Sequence, residues 1–364
     1  MLEGQTNSSP GRLAGIAAAP GDESVRGRRP GIRLASRSIV SGHPQLGPLC
    51  PQRPRPTRLR YRRRVKFAHF VATDHQPSTP AEPRVRLAVI SDTGAVFLDE
   101  ILEDAPRDLQ ELIERGPAEL DRVRSFVETS LAHGVSGEPL DGLVHASAVL
   151  RPPTILAVGL NYSAHSQELN LKTDNAPTIF GLWANSLTGH EGTTSWPAAI
   201  SEQVDYEAEL GVVIGRAARD VDAADALGYV FGYTVVNDIT ARNIQYSEAQ
   251  WSRCKSFDGF TPTGPVVVTA DEIPDPQDLH ISTVLDGVTL QDSSTSHMVR
   301  SVATLIEHLS GSATLLPGTL ISTGSPGGAG YSRDPQVFLT DGATVTVSVE
   351  GVGSLTTHCT VTAG

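Results

Sequence analysis

The pattern of apolar and polar positions divides the chain into three stretches. Residues 1–64 show no period at all. From Val65 onward strand and helix patterns begin abruptly. Apolar runs at 84–90 and 95–98 flank a polar turn at 91–94 and predict a hairpin. Residues 108–114 and 119–131 carry apolar side chains at helical spacing. Beyond Val144 strand patterns dominate. Residues 154–160 form a continuous apolar run, the mark of a buried strand. Further strands are predicted at 204–215, 227–236, 265–269, 281–285, 288–290, 319–323, 344–349 and 354–361, with Asp286-Gly287 as a tight hairpin turn. A short helix is expected within 217–226 and an amphipathic one over 298–309. The class is mixed and mainly β, with short helices. Three parts are expected: a disordered basic tail at 1–64, a small α+β domain at 65–143, and a larger domain at 144–364.

The stretch from Val204 to Gly215 stands out, because Asp205, Glu207 and Glu209 alternate with Tyr206, Ala208 and Leu210. On one strand the three acids share a face, with neighbours about 6–7 Å apart. Carboxylates that close repel. A solvent-exposed face is one reading. A hard-cation site is the other, since carboxylate oxygens suit Mg²⁺, Mn²⁺ or Ca²⁺.

Charge changes the picture of the ends. Residues 1–66 carry a balance of +11, and the remainder carries −23, giving the chain its net −12. The Pro/Arg-rich segment 51–64 cannot bury enough surface to fold alone. A nucleic-acid-binding arm, an Arg-rich transit peptide and a reading frame placed too far upstream are three readings of it. Prolines spoil an amphipathic helix and no nucleic-acid motif follows, which favours the third, with Val65 as an alternative start. The acidic remainder argues against nucleic-acid or anionic-membrane partners. No apolar run reaches membrane-spanning length and no signal-peptide core is visible, so a cytoplasmic protein is expected. Cys50, Cys254 and Cys359 are too few and too scattered for a disulfide framework or a zinc site.

Other candidate groups follow strand ends, where sites tend to lie. His165 and Glu168 come after the 154–160 strand at an i, i+3 spacing that would bring them within reach of each other on a helix. Asp238 ends the 227–236 strand, either as a turn residue or as a third oxygen ligand. Arg242 and Gln245 follow it at helical spacing, suited to a carboxylate substrate. Lys255 is one of only three lysines against 26 arginines, which suggests a position where a compact ammonium is needed. The glycine-rich loop from Gly324-Ser325 to Gly330 offers backbone N–H groups to an anion.

Taken in order, Gly159-Leu160-Asn161-Tyr162 with His165 and Glu168, Val204–Leu210, Asn237–Arg242, Lys255-Ser256-Phe257-Asp258 with Gly264-Pro265, and Thr323-Gly324-Ser325-Pro326 resemble the fumarylacetoacetate hydrolase family. The resemblance spans about 144–361. It implies a β-roll-like catalytic domain, a homodimer, and a bound Mg²⁺ or Mn²⁺ held by Glu207, Glu209 and Asp238. It leaves Asp205 outside the ligand set. It implies catalytic roles for His165, Glu168 and Lys255, with His165 and Glu168 on a lid, and substrate contacts from Arg242, Gln245, Gly324 and Ser325. The substrate implied is a small dioxo-acid of the acylpyruvate, fumarylpyruvate or 2-hydroxyhepta-2,4-dienedioate type, cleaved or tautomerised through a metal-stabilised enolate. An oxaloacetate-type decarboxylase and a non-catalytic metal-binding relative are the alternatives. Leu182, where the family usually has Lys, marks a departure.

Overall fold

The structure, a computed structural model, describes residues 65–72, 84–163 and 176–363. The tail at 1–64 and the His165–Glu168 segment lie outside the described residues. Among those described, the frame is a ten-stranded sheet. Its spatial order is Gly94–Phe97, Val85–Ser91, Lys66–Val71, Thr261–Thr269, Val230–Asn237, Ala208–Ile214, Leu320–Ser322, Ile155–Gly159 and Thr178–Gly181, with Leu187–Thr188 pairing off this path. A five-stranded sheet runs Val288–Ser294, His280–Leu285, Thr344–Val349, Gly353–Thr362 and Gly192–Pro197.

The two sheets differ as their sequences do. All seven residues of Ala208–Ile214 are buried, as a central strand covered on both faces requires. Thr344–Val349, with threonine, serine and valine alternating, buries only its valines. The expected Asp286-Gly287 hairpin forms between Leu285 and Val288. Both turn residues take positive φ, 47° and 83°, as a two-residue primed turn demands.

Four boundaries differ from expectation, each for a local reason. The Lys66–Val71 strand pairs with Thr261–Thr269, so the segment expected as a separate small domain shares its sheet with the larger one. Residues 204–215 are not one strand but two, Val204–Asp205 and Ala208–Ile214. Between them the Tyr206 N–H bonds the Asp205 carboxylate and the Glu207 N–H bonds Asn237, which takes both out of the ladder. The helix expected from 298 begins at Val302, because the Ser301 hydroxyl accepts from the Thr304 N–H and caps it there. The 227–236 strand begins only at Val230, after a turn of 3₁₀ helix at Leu227–Tyr229. Among the described residues no helix is long and apolar enough to cross a membrane.

Candidate metal centre and active site

The strands Ala208–Ile214 and Val230–Asn237 run antiparallel, with Glu209 opposite Val236 and Ala208 opposite Asn237. Glu207 and Asp238 are the next pair, one residue beyond each strand end. There the ladder gives way to two other bonds, Glu207 N–H to Asn237 Oδ1 at 3.1 Å and Asp238 N–H to the Glu207 carbonyl at 2.9 Å. These fix both backbones at the point where the carboxylates leave the sheet. Glu207, Glu209 and Asp238 each bring an oxygen within 4.8 Å of the other two, and all three residues are buried. The exposed-face reading of the acidic stretch is therefore wrong.

Every buried charge around them has a stated partner. Glu209 Oε2 accepts from the Ser322 hydroxyl at 2.6 Å and the Gly324 N–H at 2.8 Å. Lys255 Nζ donates to Glu207 Oε2 at 2.9 Å, Asp238 Oδ2 at 2.6 Å and Thr240 Oγ1 at 2.8 Å. Arg242 bridges Glu207 Oε1 at 2.6 Å and Asp205 Oδ2 at 2.9 Å. The Asp205 oxygens also accept the Gly330 and Tyr331 N–H groups at 2.8 and 2.9 Å. Asp238 Oδ1 is the exception, buried with no hydrogen-bond partner among the described residues.

Electrostatics report the same strain. Burial, then the neighbouring Asp238 and Glu207 charges, push Glu209 well above the ordinary carboxylate range. Burial also drives Asp238 up to about 6, with Glu207 adding to it and Lys255 opposing. Burial would lower the Lys255 ammonium, but Asp238 and Glu207 overcome it and hold the group above its ordinary value. Four buried carboxylates (Asp205, Glu207, Glu209, Asp238) face two buried cations (Arg242, Lys255). Among the described residues the carboxylates thus outnumber the cations, and crowding buried like charge is costly, which is why the Glu209 and Asp238 carboxyls resist ionisation.

The cluster floors a small, partly enclosed cavity. Gln245, Lys255 and Ser325 share its polar side, and Val158, Leu160, Phe180 and Trp251 form an apolar wall. Two glycines let these surfaces close up. A Cβ on Gly159 would stand 2.5 Å from the Trp251 ring. Gly324 has φ +96°, and a Cβ there would stand 2.7 Å from Asn161 Cβ.

Sequence reasoning assigned some of these residues differently. Arg242, expected to grip a distal substrate group, is 1% exposed and engaged by two carboxylates and by Gln245 Oε1 at 2.9 Å. That bond turns the Gln245 amide so that its NH₂ is left for the cavity. Gly324, expected to offer its N–H to substrate, spends it on Glu209. Asp205 is not one of the three converging carboxylates, as the resemblance implies, and reaches Glu207 through Arg242. Leu182 is buried in the core and does not line the cavity. Asn237, Thr240 and Ser322 were missed, although hydroxyl and amide side chains ending apolar strands were a usable signal.

The model of the fumarylacetoacetate (FAA) hydrolase C-terminal family matches residues 154–360. The mitochondrial oxaloacetate tautomerase Fahd2a of Rattus norvegicus is 36% identical over 273 residues, 75% of this chain and 86% of that protein. Among solved structures, a fumarylacetoacetate hydrolase from psychrophilic Exiguobacterium antarcticum superposes with a TM-score of 0.69 at 32% identity, covering 82% of this chain and all of that one. A 2-hydroxyhepta-2,4-diene-1,7-dioate isomerase from Mycobacterium marinum does so with a TM-score of 0.60 at 28% identity and the same coverage.

Proposed function

The chain belongs to the fumarylacetoacetate hydrolase family, and from that premise we propose that it is a divalent-metal-dependent hydrolase or isomerase of small dioxo-acids. One observation carries the reading. Three buried carboxylates crowd their negative charge together at the floor of a small cavity, and one of them keeps a buried oxygen with no hydrogen bond among the described residues. One Mg²⁺ or Mn²⁺ would balance that charge and suits an all-oxygen donor set. Glu207, Glu209 and Asp238 would hold it. When bound, such an ion supplies Lewis-acid polarisation of a substrate carbonyl and stabilises the negative charge that develops there.

The chain's own groups do the rest. Lys255 holds Glu207 and Asp238 by hydrogen bonds and sets an ammonium beside the reacting oxygens, where it stabilises a developing oxyanion. Gln245 and Ser325 present hydrogen-bond donors for a substrate carboxylate. The Phe180 and Trp251 wall covers the carbon skeleton and excludes water. His165 is proposed as general base and Glu168 as its orienting partner, on the segment expected to form the lid. In hydrolysis His165 would take a proton from water as the water oxygen adds to the carbonyl carbon. The carbon–carbon bond then breaks and the released carbon takes up a proton. Tautomerisation needs only the proton transfers. The substrates named for the relatives (fumarylacetoacetate, a 2-hydroxy-diene-dioate, oxaloacetate) share an oxo or enol oxygen in acids of this size, which supports the substrate class.

The test is Glu207→Ala, assayed for bound metal and for turnover of acetylpyruvate and oxaloacetate by their enol absorbance, with Mg²⁺ and with a chelator. Metal content should fall, and turnover should drop by about 10²–10³-fold or more, several kcal/mol of lost electrostatic stabilisation. Turnover that survives both the substitution and the chelator contradicts the reading.

A further inference from the structure

Gln291 is a buried polar side chain that the proposed chemistry does not use, although it reaches the site from the other sheet. It sits on the Val288–Ser294 strand and is 1% exposed. Its Oε1 accepts from the Ala208 N–H at 3.0 Å and the Thr283 hydroxyl at 2.6 Å. Its Nε2 donates to the Pro326 carbonyl at 2.9 Å and to Ser325 Oγ at 2.9 Å. The amide cannot be turned over. A backbone N–H only donates and a backbone carbonyl only accepts, so reversal would set N–H against N–H at Ala208 and oxygen against oxygen at Pro326.

That fixed amide settles the direction of the next bond. Ser325 Oγ must accept from Gln291, so its own proton is directed elsewhere. Ser325 is 3% exposed and lines the cavity beside the carboxylates, and Gln291 is its side chain's one hydrogen-bond partner among the described residues. We propose that Gln291 is a positioning residue that holds the Ser325 hydroxyl as a one-way donor into the cavity, so that the site accepts an anionic substrate oxygen there and disfavours a group that donates. A hydroxyl that already accepts one hydrogen bond is also a stronger donor. The inference rests on the function proposed above, since it needs an oxo-acid in this cavity.

The experiment is calorimetric titration with oxalate, in the presence of Mg²⁺, on the full chain and on Gln291→Glu, Gln291→Met, Ser325→Ala and the doubles Gln291→Glu/Ser325→Ala and Gln291→Met/Ser325→Ala. A glutamate at 291 still accepts from Ala208 and turns a second acceptor oxygen toward Ser325, pulling the hydroxyl proton out of the cavity, although that oxygen then also faces the Pro326 carbonyl. Methionine merely releases the hydroxyl to rotate, and keeps the test open if the buried carboxylate prevents folding. Ser325→Ala and Gln291→Glu should each weaken oxalate binding by about 10–100-fold, the loss of one hydrogen bond to a charged group. Gln291→Met should weaken it by about 3–10-fold. Each double should bind no more weakly than Ser325→Ala, because both changes remove the same contact. Mn²⁺ affinity, measured separately, should not move in the uncharged Gln291→Met. Oxalate affinity unchanged in either Gln291 variant while Ser325→Ala is weakened, or losses that multiply in a double, would overturn the inference. No oxalate binding by the wild-type chain with Mg²⁺ would instead remove the functional reading and this inference with it.

Discussion

Two of the buried polar groupings among the described residues are organised in opposite ways. His69, on the strand Lys66–Val71, is 1% exposed. Its Nε2 accepts the Leu109 N–H at 3.1 Å, which leaves its Nδ1–H to donate to the Ser147 carbonyl at 3.1 Å. Leu109 opens a helix, so this bond also satisfies one of the N–H groups that a helix start leaves unpaired. The ring is neutral, each nitrogen has one partner, and burial pushes its pKa down to about 4. The carboxylate cluster is the reverse: among the described residues four carboxyls face two cations, one Asp238 oxygen has no hydrogen bond, and the Glu209 and Asp238 pKa values are driven up. The lesson is that a satisfied buried cluster holds structure, whereas an unbalanced one is organised around something that completes it.

The comparison breaks most visibly at Lys255. Lys255→Met leaves the acidic cluster with a single cation, and stranding buried charge should cost about 3–5 kcal/mol of metal-free stability, read by denaturant unfolding. A loss under about 1 kcal/mol would mean that the cluster does not carry the charge assigned to it.

Next in size is Glu209→Gln, which should separate function from stability. Turnover of the dioxo-acid should fall by about 10²–10³-fold, while the metal-free melting temperature should rise, because the folded state no longer has to hold or neutralise a carboxyl that burial and repulsion disfavour. If both fall together, the residue is structural.

Acid titration compares the clusters directly, and their signs differ. His69 has a folded pKa near 4 against an ordinary 6.5, so the unfolded chain binds its proton first. Its contribution is complete above about pH 6.5 and is lost progressively toward pH 4, by about 3 kcal/mol. Asp238, with a folded pKa near 6 against 3.8, takes its proton in the folded state first. It should therefore add to metal-free stability as pH falls from about 6 toward 4. His69→Gln should flatten the first trend and Asp238→Asn the second, as followed by melts of the metal-stripped protein across pH 4–7. The same trend in both variants would contradict the contrast.

The smallest effect is expected at Gly324. Gly324→Ala forces a positive φ on alanine and a Cβ toward Asn161, for about 1–2 kcal/mol of stability. It should weaken metal binding as well, since its N–H holds Glu209.

How legible these clusters were follows from how each is encoded. The acidic site announces itself, because carboxylates on an apolar strand break a pattern, and a lone lysine among arginines breaks a composition. The main sheet and the Asp286-Gly287 hairpin were readable for the same reason, since alternation and turn chemistry are local. Partnership was not. Nothing local says that Arg242 faces Asp205 and Glu207 rather than a ligand, because that contact depends on a strand break at Tyr206 caused by Asn237, thirty residues away. His69 and Gln291 lie on ordinary-looking strands, and only the packing of distant segments gives their polar atoms a purpose. The joining of the N-terminal strands to the main sheet was hidden likewise, since strand pairing across two hundred residues leaves no trace in either strand alone.

The central claim is that the unbalanced acidic cluster is completed by one divalent ion. Titration of the metal-stripped chain with Mn²⁺, followed by calorimetry in buffers of different ionisation enthalpy, tests it most directly. The account predicts one site per chain, proton release on binding at pH 6 because the raised Glu209 and Asp238 carboxyls must ionise, and loss of binding in Glu209→Gln and in Asp238→Asn. Absence of binding, or Mn²⁺ affinity indifferent to both substitutions, would contradict it.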